Sequence, residues 1–316
     1  MAMAIEIEAV SRVFVESGQR IHALREVSFT VGEGQVMGLL GANGAGKTTL
    51  TKILSTLLLP TSGAARVLGA DVVRDAAVVR GWQSVVLGGE RGLYGQLTAH
   101  ENLRFFGMLG GLSRRALLSR LYPALEEVGL AAVAGRRVST FSKGMRQRLH
   151  IAIGMITSPR VLLLDEPTVG LDPVEAARLR TAIAALRDQG VSILLTSHYL
   201  RDIEELADRV VLLDAGAVVC EMSVAEFSAS VGHVATVRVH GGGAAPDPRR
   251  WPGLAGAAVD IAPRDDGWTA SIRLPEWTSE VFEALGRVLA ASEVRDVEIE
   301  QANLETAYLS LEAGKS

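Results

Sequence analysis

The run Gly41-Ala42-Asn43-Gly44-Ala45-Gly46-Lys47-Thr48 constrains this chain more than any other feature. It fits the spacing GxxxxGK[ST]. It stands between a short, mostly apolar run at 35–40 and a segment with Leu50, Ile53, Leu54 and Leu57 at helical spacing. A strand, a glycine-rich turn and a helix in that order make a phosphate cradle. The glycines let backbone N–H groups turn inward, and the helix adds the positive end of its dipole. The predicted phosphate-binding residues are Gly41, Ala42, Asn43, Gly44, Ala45, Gly46, Lys47, Thr48 and Thr49. Lys47 is positioned to reach the β- and γ-phosphates, and the Thr48 hydroxyl to bind Mg²⁺.

The pattern around this loop sets the fold class. Residues 5–10 alternate as a half-buried strand does, and 24–31 reads as a second strand. The runs at 161–164, 192–196 and 210–213 are short and continuously apolar, as strands buried on both faces are. Helices are expected at about 97–130, 145–157 and 175–189. Buried strands alternating with helices imply an α/β fold with a mainly parallel sheet. Composition shifts near 233, and Gly241-Gly242-Gly243-Ala244-Ala245-Pro246 reads as a flexible connection. Beyond it, alternating strands at 268–274 and 294–300 and two helical stretches make a small α+β domain. The expected domains are 4–232 and 233–316.

Several function classes fall away. A formal net charge of −4 over 316 residues gives no general attraction to nucleic acid. The single cysteine, Cys220, excludes an internal disulfide and a cysteine cluster for zinc, and is expected to be a buried, inert thiol. The first ten residues do not read as a secretory signal, and no apolar run approaches the roughly 18 residues needed to cross a bilayer. If the chain serves transport, the pore is expected on another polypeptide.

Asp165 and Glu166 end the apolar run at 161–164, so they should sit at the carboxyl edge of the sheet, where open α/β folds bind ligands. Asp165 is the expected Mg²⁺ partner, directly or through a water. Glu166 is the expected residue to orient or deprotonate an attacking water. His198 follows the run at 192–196, where an imidazole can sense a terminal phosphate and brace the carboxylate.

Phe141-Ser142-Lys143-Gly144-Met145-Arg146-Gln147-Arg148 lies shortly before Asp165-Glu166. It resembles the LSGGQ signature of the ATP-binding cassette family, with Ser142 and Gly144 matching and Phe141, Lys143 and Met145 departing from the commonest form. The resemblance spans about residues 4–230. It implies a P-loop NTPase cassette that hydrolyses ATP with Mg²⁺. To the parallel sheet the family adds an antiparallel β part and a helical subdomain, at about 90–158 here. By the same resemblance, Phe14 falls where the family stacks an aromatic on adenine. Ser142, Lys143, Gly144 and Met145 would contact the ATP held by an opposite subunit. Asp172, in Gly170-Leu171-Asp172, would cross the dimer interface, and His198 matches the switch histidine. The family's glutamine loop has Gly89 at the glutamine position, within Val85-Val86-Leu87-Gly88-Gly89-Glu90. Either Glu90 substitutes there or the backbone is looser.

The variant signature and the segment running from Val86 to Tyr94 look like exporter cassettes of the daunorubicin/multidrug-resistance type, as does the end of the chain at 297–311. That subgroup implies a cassette dimer, a homodimer by expectation, at the cytoplasmic face of the membrane with a separate polytopic permease. The alternatives at this point are an importer subunit and a non-transport cassette ATPase. Translation-type proteins usually carry two cassettes where this chain has one. Repair-type proteins usually split the cassette with a coiled coil that has no counterpart here.

Overall fold

The computed structural model describes residues 2–16, 18–87, 92–229, 235–243, 254, 256–264, 266–290 and 293–301. By its contacts the chain divides into two compact units, Met1–Ser223 and Val224–Ser316. The division lies earlier than the expected 232/233.

The first unit begins with β1 (Met3–Glu16), β2 (Gln19–Gly32) and β3 (Val36–Leu40), then α1 (Lys47–Leu54). Next come β4 (Ser62–Val67), β5 (Ala70–Asp71), α2 (Ala76–Trp82) and β6 (Gln83–Leu87). Three helices follow, α3 (Ala99–Leu109), α4 (Arg114–Glu127) and α5 (Lys143–Met155). The unit ends with β7 (Val161–Asp165), α6 (Pro173–Asp188), β8 (Ser192–Thr196), α7 (Leu200–Leu206), β9 (Arg209–Asp214) and β10 (Ala217–Ser223).

These strands form two sheets. One is antiparallel, in the order β2-β1-β4-β5; the other has the order β10-β9-β3-β8-β7-β6, parallel throughout except at β10. Every residue of β3, β7 and β8 is buried, which accounts for their unalternating apolar sequences. Leu50, Ile53 and Leu54 of α1 pack into one core with Ile5, Phe29 and Leu39. The loop between β3 and α1 is therefore held from both sides.

The expected helix at 97–130 is two helices. Its break falls at Gly110-Gly111, where Gly111 takes φ 82°, a region costly for a side chain. Ser142 caps α5, so that helix starts earlier than expected, and Asp172 does the same for α6. Strand β6 includes Val85, Val86 and Leu87, which the resemblance placed in a loop. Cys220 is half-buried rather than buried. Among the described residues, no helix is long and apolar enough to cross a membrane.

The second unit contains α8 (Val224–Ala229), β11 (Ala235–Gly241), β12 (Ala258–Arg264), β13 (Gly267–Leu274), α9 (Ser279–Ala290) and β14 (Val294–Gln301). Its antiparallel sheet runs β12-β13-β11-β14, and Val281, Ala284 and Leu285 of α9 share a core with Val237, Trp268 and Ile272. The glycine run is not a connection between domains, because Gly241 pairs with Trp268 inside this sheet. A Cβ on Gly241 would stand 2.1 Å from the Trp268 ring, so this glycine serves close packing. The expected second helix, at 303–311, lies outside the described residues.

Candidate active site

Thr196 pairs with Leu39 on one side and with Asp165 on the other. The segments leaving β3, β7 and β8 thus emerge at one level of one sheet edge. That register brings the glycine loop, Asp165-Glu166 and Ser197-His198 together.

Each group is held by named partners. Lys47 is 5% exposed; its Nζ donates to the carbonyls of Gly41 at 2.7 Å and Ala42 at 3.2 Å. The same ammonium lies 3.8 Å from Glu166 Oε1. Thr48 Oγ1 donates to Asp165 Oδ2 at 3.0 Å. On the opposite side, Thr196 Oγ1 donates to Asp165 Oδ1 at 2.6 Å and accepts from Glu166 N at 3.0 Å. His198 Nδ1 meets Glu166 Oε2 at 2.9 Å. Glu166 holds φ 50°, a strained value for a side-chain-bearing residue, of the kind that collects at active sites.

A recess of about 150 Å³ lies over the loop, lined by Asn43, Gly44, Gly46, Lys47, Thr48, Thr49, Ala23 and Glu166. Gly44, at φ 86°, faces open space, and no side chain caps the start of α1. Bare N–H groups, an ammonium and a helix N-terminus in one recess favour an anion such as phosphate. Beside it, a hydroxyl and a carboxylate 3.0 Å apart offer hard oxygen donors, which suit Mg²⁺.

Other expected residues lie elsewhere. Phe14 stands on β1 opposite Ile21, with the Arg12 guanidinium 4.6 Å above its ring, and does not line the recess. Ser142, Lys143, Gly144 and Met145 open α5 and do not line it either. Ser142 Oγ accepts from Met145 N at 3.2 Å. Asp172 Oδ1 caps α6 by accepting from Val174 N and Glu175 N, each at 3.0 Å. Gly89 and Glu90 lie outside the described residues.

Sequence reasoning missed Thr196, which bonds both acidic residues. Its only signal was a hydroxyl ending an otherwise apolar buried strand.

A sequence model of the ABC transporter family matches residues 24–169. The doxorubicin resistance ATP-binding protein DrrA of Mycobacterium tuberculosis is 40% identical over 231 residues, 73% of this chain and 69% of that protein. The chain belongs to the ABC transporter family. The daunorubicin resistance ATP-binding protein DrrA3 of Streptomyces coeruleorubidus is 38% identical over 296 residues, covering 92% of this chain and 90% of the relative. That match reaches into the second unit. Among solved structures, an ATP-binding subunit of an ABC transporter aligns with TM-score 0.61 and 30% identity, over 71% of this chain and 91% of the other. A dimeric ATP-binding cassette in a post-hydrolysis state with ADP and Pi shares the fold, with TM-score 0.63 and 23% identity over 69% of this chain and 98% of that one. The family implies ATP binding and hydrolysis by this cassette.

Proposed function

We propose that this cassette hydrolyses ATP to ADP and phosphate to drive export of a drug, antibiotic or other hydrophobic compound through a separate polytopic permease. It acts as a peripheral subunit at the cytoplasmic face of the membrane and pairs with a second copy of itself. The observation that carries the reading is the cluster of Lys47, Thr48, Asp165, Glu166 and His198, each within 4 Å of another. Likeness to doxorubicin and daunorubicin resistance proteins supports the export direction.

In this reading Lys47 exchanges its carbonyl partners for the β- and γ-phosphates, and the N–H groups of 41–49 cradle the chain of phosphates. Phe14 stacks on adenine. Thr48, with Asp165 directly or through a water, would hold Mg²⁺, which would supply charge neutralisation at the phosphate oxygens. Glu166 orients and deprotonates the attacking water, and His198 braces it while donating toward the terminal phosphate. Ser142, Lys143, Gly144 and Met145 contact the ATP of the opposite subunit, with Asp172 at the interface. That none of them lines the recess of their own chain supports a site completed by a second copy.

For the permease contact we assign the surface around Tyr94, which is 49% exposed and packs edge-on to Phe105 at 4.9 Å. Buried Asn102 fixes this turn by bonding both the N–H and the carbonyl of Tyr94, at 2.8 and 3.0 Å.

The test compares ATP turnover of the chain with that of Glu166→Gln, following dimerisation by light scattering with ATP and Mg²⁺. Wild-type hydrolysis and an inactive variant held as a dimer are expected. Equal turnover in the two proteins would refute the role of Glu166.

A further inference from the structure

Asp202 on α7 is 1% exposed and makes three bonds that none of the family's loops explains. Its Oδ2 accepts from two hydroxyls, Thr168 Oγ1 and, at 2.9 Å, Ser197 Oγ. Its Oδ1 accepts from Arg180 Nη1 of α6 at 3.1 Å. Ser197 Oγ in turn accepts from Tyr199 N at 2.9 Å, and Arg180 Nε donates to Glu205 at 2.6 Å. Thr168 lies two residues after Glu166, and Ser197 lies one before His198. One carboxylate oxygen therefore ties the segment carrying Glu166 to the segment carrying His198.

A network of this kind is costly to bury. A buried carboxylate is tolerated when fully paired, yet well-packed apolar side chains would commonly be as stable. Stability alone is thus a poor account of it. Geometry is a better one. The Glu166–His198 contact of 2.9 Å joins two separate segments, and their alignment needs a fixed common point. Thr196 fixes the strand ends by accepting from Glu166 N, Asp202 fixes the segments beyond them, and Arg180 links Asp202 to the helix that Asp172 caps.

We propose that Asp202 is a positioning residue for hydrolysis. It holds Glu166 and His198 in register through Thr168 and Ser197, and couples them through Arg180 to the dimer-interface helix. This rests on the roles proposed above for Glu166 and His198.

The test uses the full chain and the variants Thr168→Val, Ser197→Ala, their double, and Asp202→Asn, beside Glu166→Gln and His198→Ala. Asparagine cannot accept from both hydroxyls and from Arg180 without turning its NH₂ toward a donor. Each single variant is expected to lose about ten- to a hundredfold in kcat per folded molecule, as small misplacements do. KM and the affinity for a fluorescent ATP analogue should stay within about twofold of wild type, a split that shows loss of transition-state positioning. The double variant should fall no further than Asp202→Asn, because both hydroxyls act through one oxygen. If Asp202→Asn fails to fold, the two hydroxyl variants decide alone. Wild-type kcat in them, with only a lower melting temperature, overturns the proposal while leaving the site assignment intact. Wild-type turnover in Glu166→Gln and His198→Ala overturns both.

Discussion

Gly144→Ala tests how the starts of α5 and α6 fit together. A Cβ on Gly144 would lie 2.4 Å from Glu175 Oε2 and 2.7 Å from Glu175 Cβ and Cγ. The carboxylate cannot swing away freely: Oε2 takes Arg148 Nη2 at 3.1 Å, and Oε1 takes Arg178 Nη1 at 2.7 Å. The Cβ cannot move at all unless the helices part. Arg148 is buried, and breaking a buried pair costs about 3–5 kcal/mol. At the lower bound, and about 2–4 °C per kcal/mol for a domain of this size, the melting temperature should fall by about 6–12 °C. A cycle with position 175 sharpens the point. In a Glu175→Ala background the Cβ contact remains, so Gly144→Ala still destabilises. In a Glu175→Gly background the Glu175 side-chain atoms nearest that Cβ are gone, and alanine's advantage over glycine in a helix, up to about 1 kcal/mol, should make the same change neutral or stabilising. Thermal unfolding followed by circular dichroism reads all six proteins of the cycle. An effect of Gly144→Ala that is the same in all three backgrounds would refute the reasoning.

Three further predictions follow from the same contacts. Thr196→Val leaves buried Asp165 one donor short and should cost about 1.5–3 kcal/mol and reduce turnover, with Thr196→Ser restoring both; chemical denaturation and a phosphate-release assay check this. Lys47→Ala removes the only cation lining the recess among the described residues and should weaken ATP binding at least about tenfold, measured with a fluorescent analogue. Burial lowers the pKa of His150 from its usual 6.5, so the unfolded chain takes up a proton at higher pH than the folded one. Stability contributed by neutral His150 is present above about pH 6.5 and is lost as pH falls below it. His150→Leu should flatten the fall in melting temperature between about pH 7 and pH 5, and parallel curves for the two proteins would count against the effect.

The legible parts of this chain were those where one local pattern has one physical cause. A continuously apolar five-residue run has little choice but to be buried on both faces, so β7 and β8, and with them Asp165, Glu166 and His198, could be located at the correct sheet edge. The glycine loop carried its own chemistry. Where a residue type serves two purposes, the sequence misled. Gly241 looked like linker because chain flexibility and a ring packed against the backbone call for the same residue. Edge strand β6, Gln83–Leu87, is as short as β7 and β8 but opens with Gln83 and Ser84, so it shows neither an unbroken apolar run nor an alternation. The Thr196 and Asp202 contacts were illegible for a different reason. They join residues of separate strands and helices, and only the register of β7 with β8 brings Thr196 beside Asp165.

The residues assigned to the opposite subunit's ATP have structural work within their own chain. Ser142 and Asp172 cap α5 and α6, Gly144 admits Glu175, and the Lys143 ammonium lies against Gly170, where a Cβ would be 2.2 Å away. The two helices are tied by the Glu175–Arg148 ion pair, and the Lys143 ammonium packs against Gly170 just before α6. Packed interiors respond to force by shifting as units rather than by deforming. An ATP phosphate captured at Ser142 would therefore act on α5 and α6 together. Through Arg180 and Asp202, α6 is in contact with the segments carrying Glu166 and His198. Engagement at the proposed signature of one cassette would thus have a short route, through the Arg148–Glu175 and Arg180–Asp202 ion pairs, to the proposed hydrolytic residues of that same cassette. Lys143→Ala, which removes the packing against Gly170 and leaves the caps in place, should loosen that route without unfolding either helix. Its expected mark is a lower kcat at saturating ATP with an unchanged helical signal, and an unchanged kcat would show that the Glu175–Arg148 tie suffices.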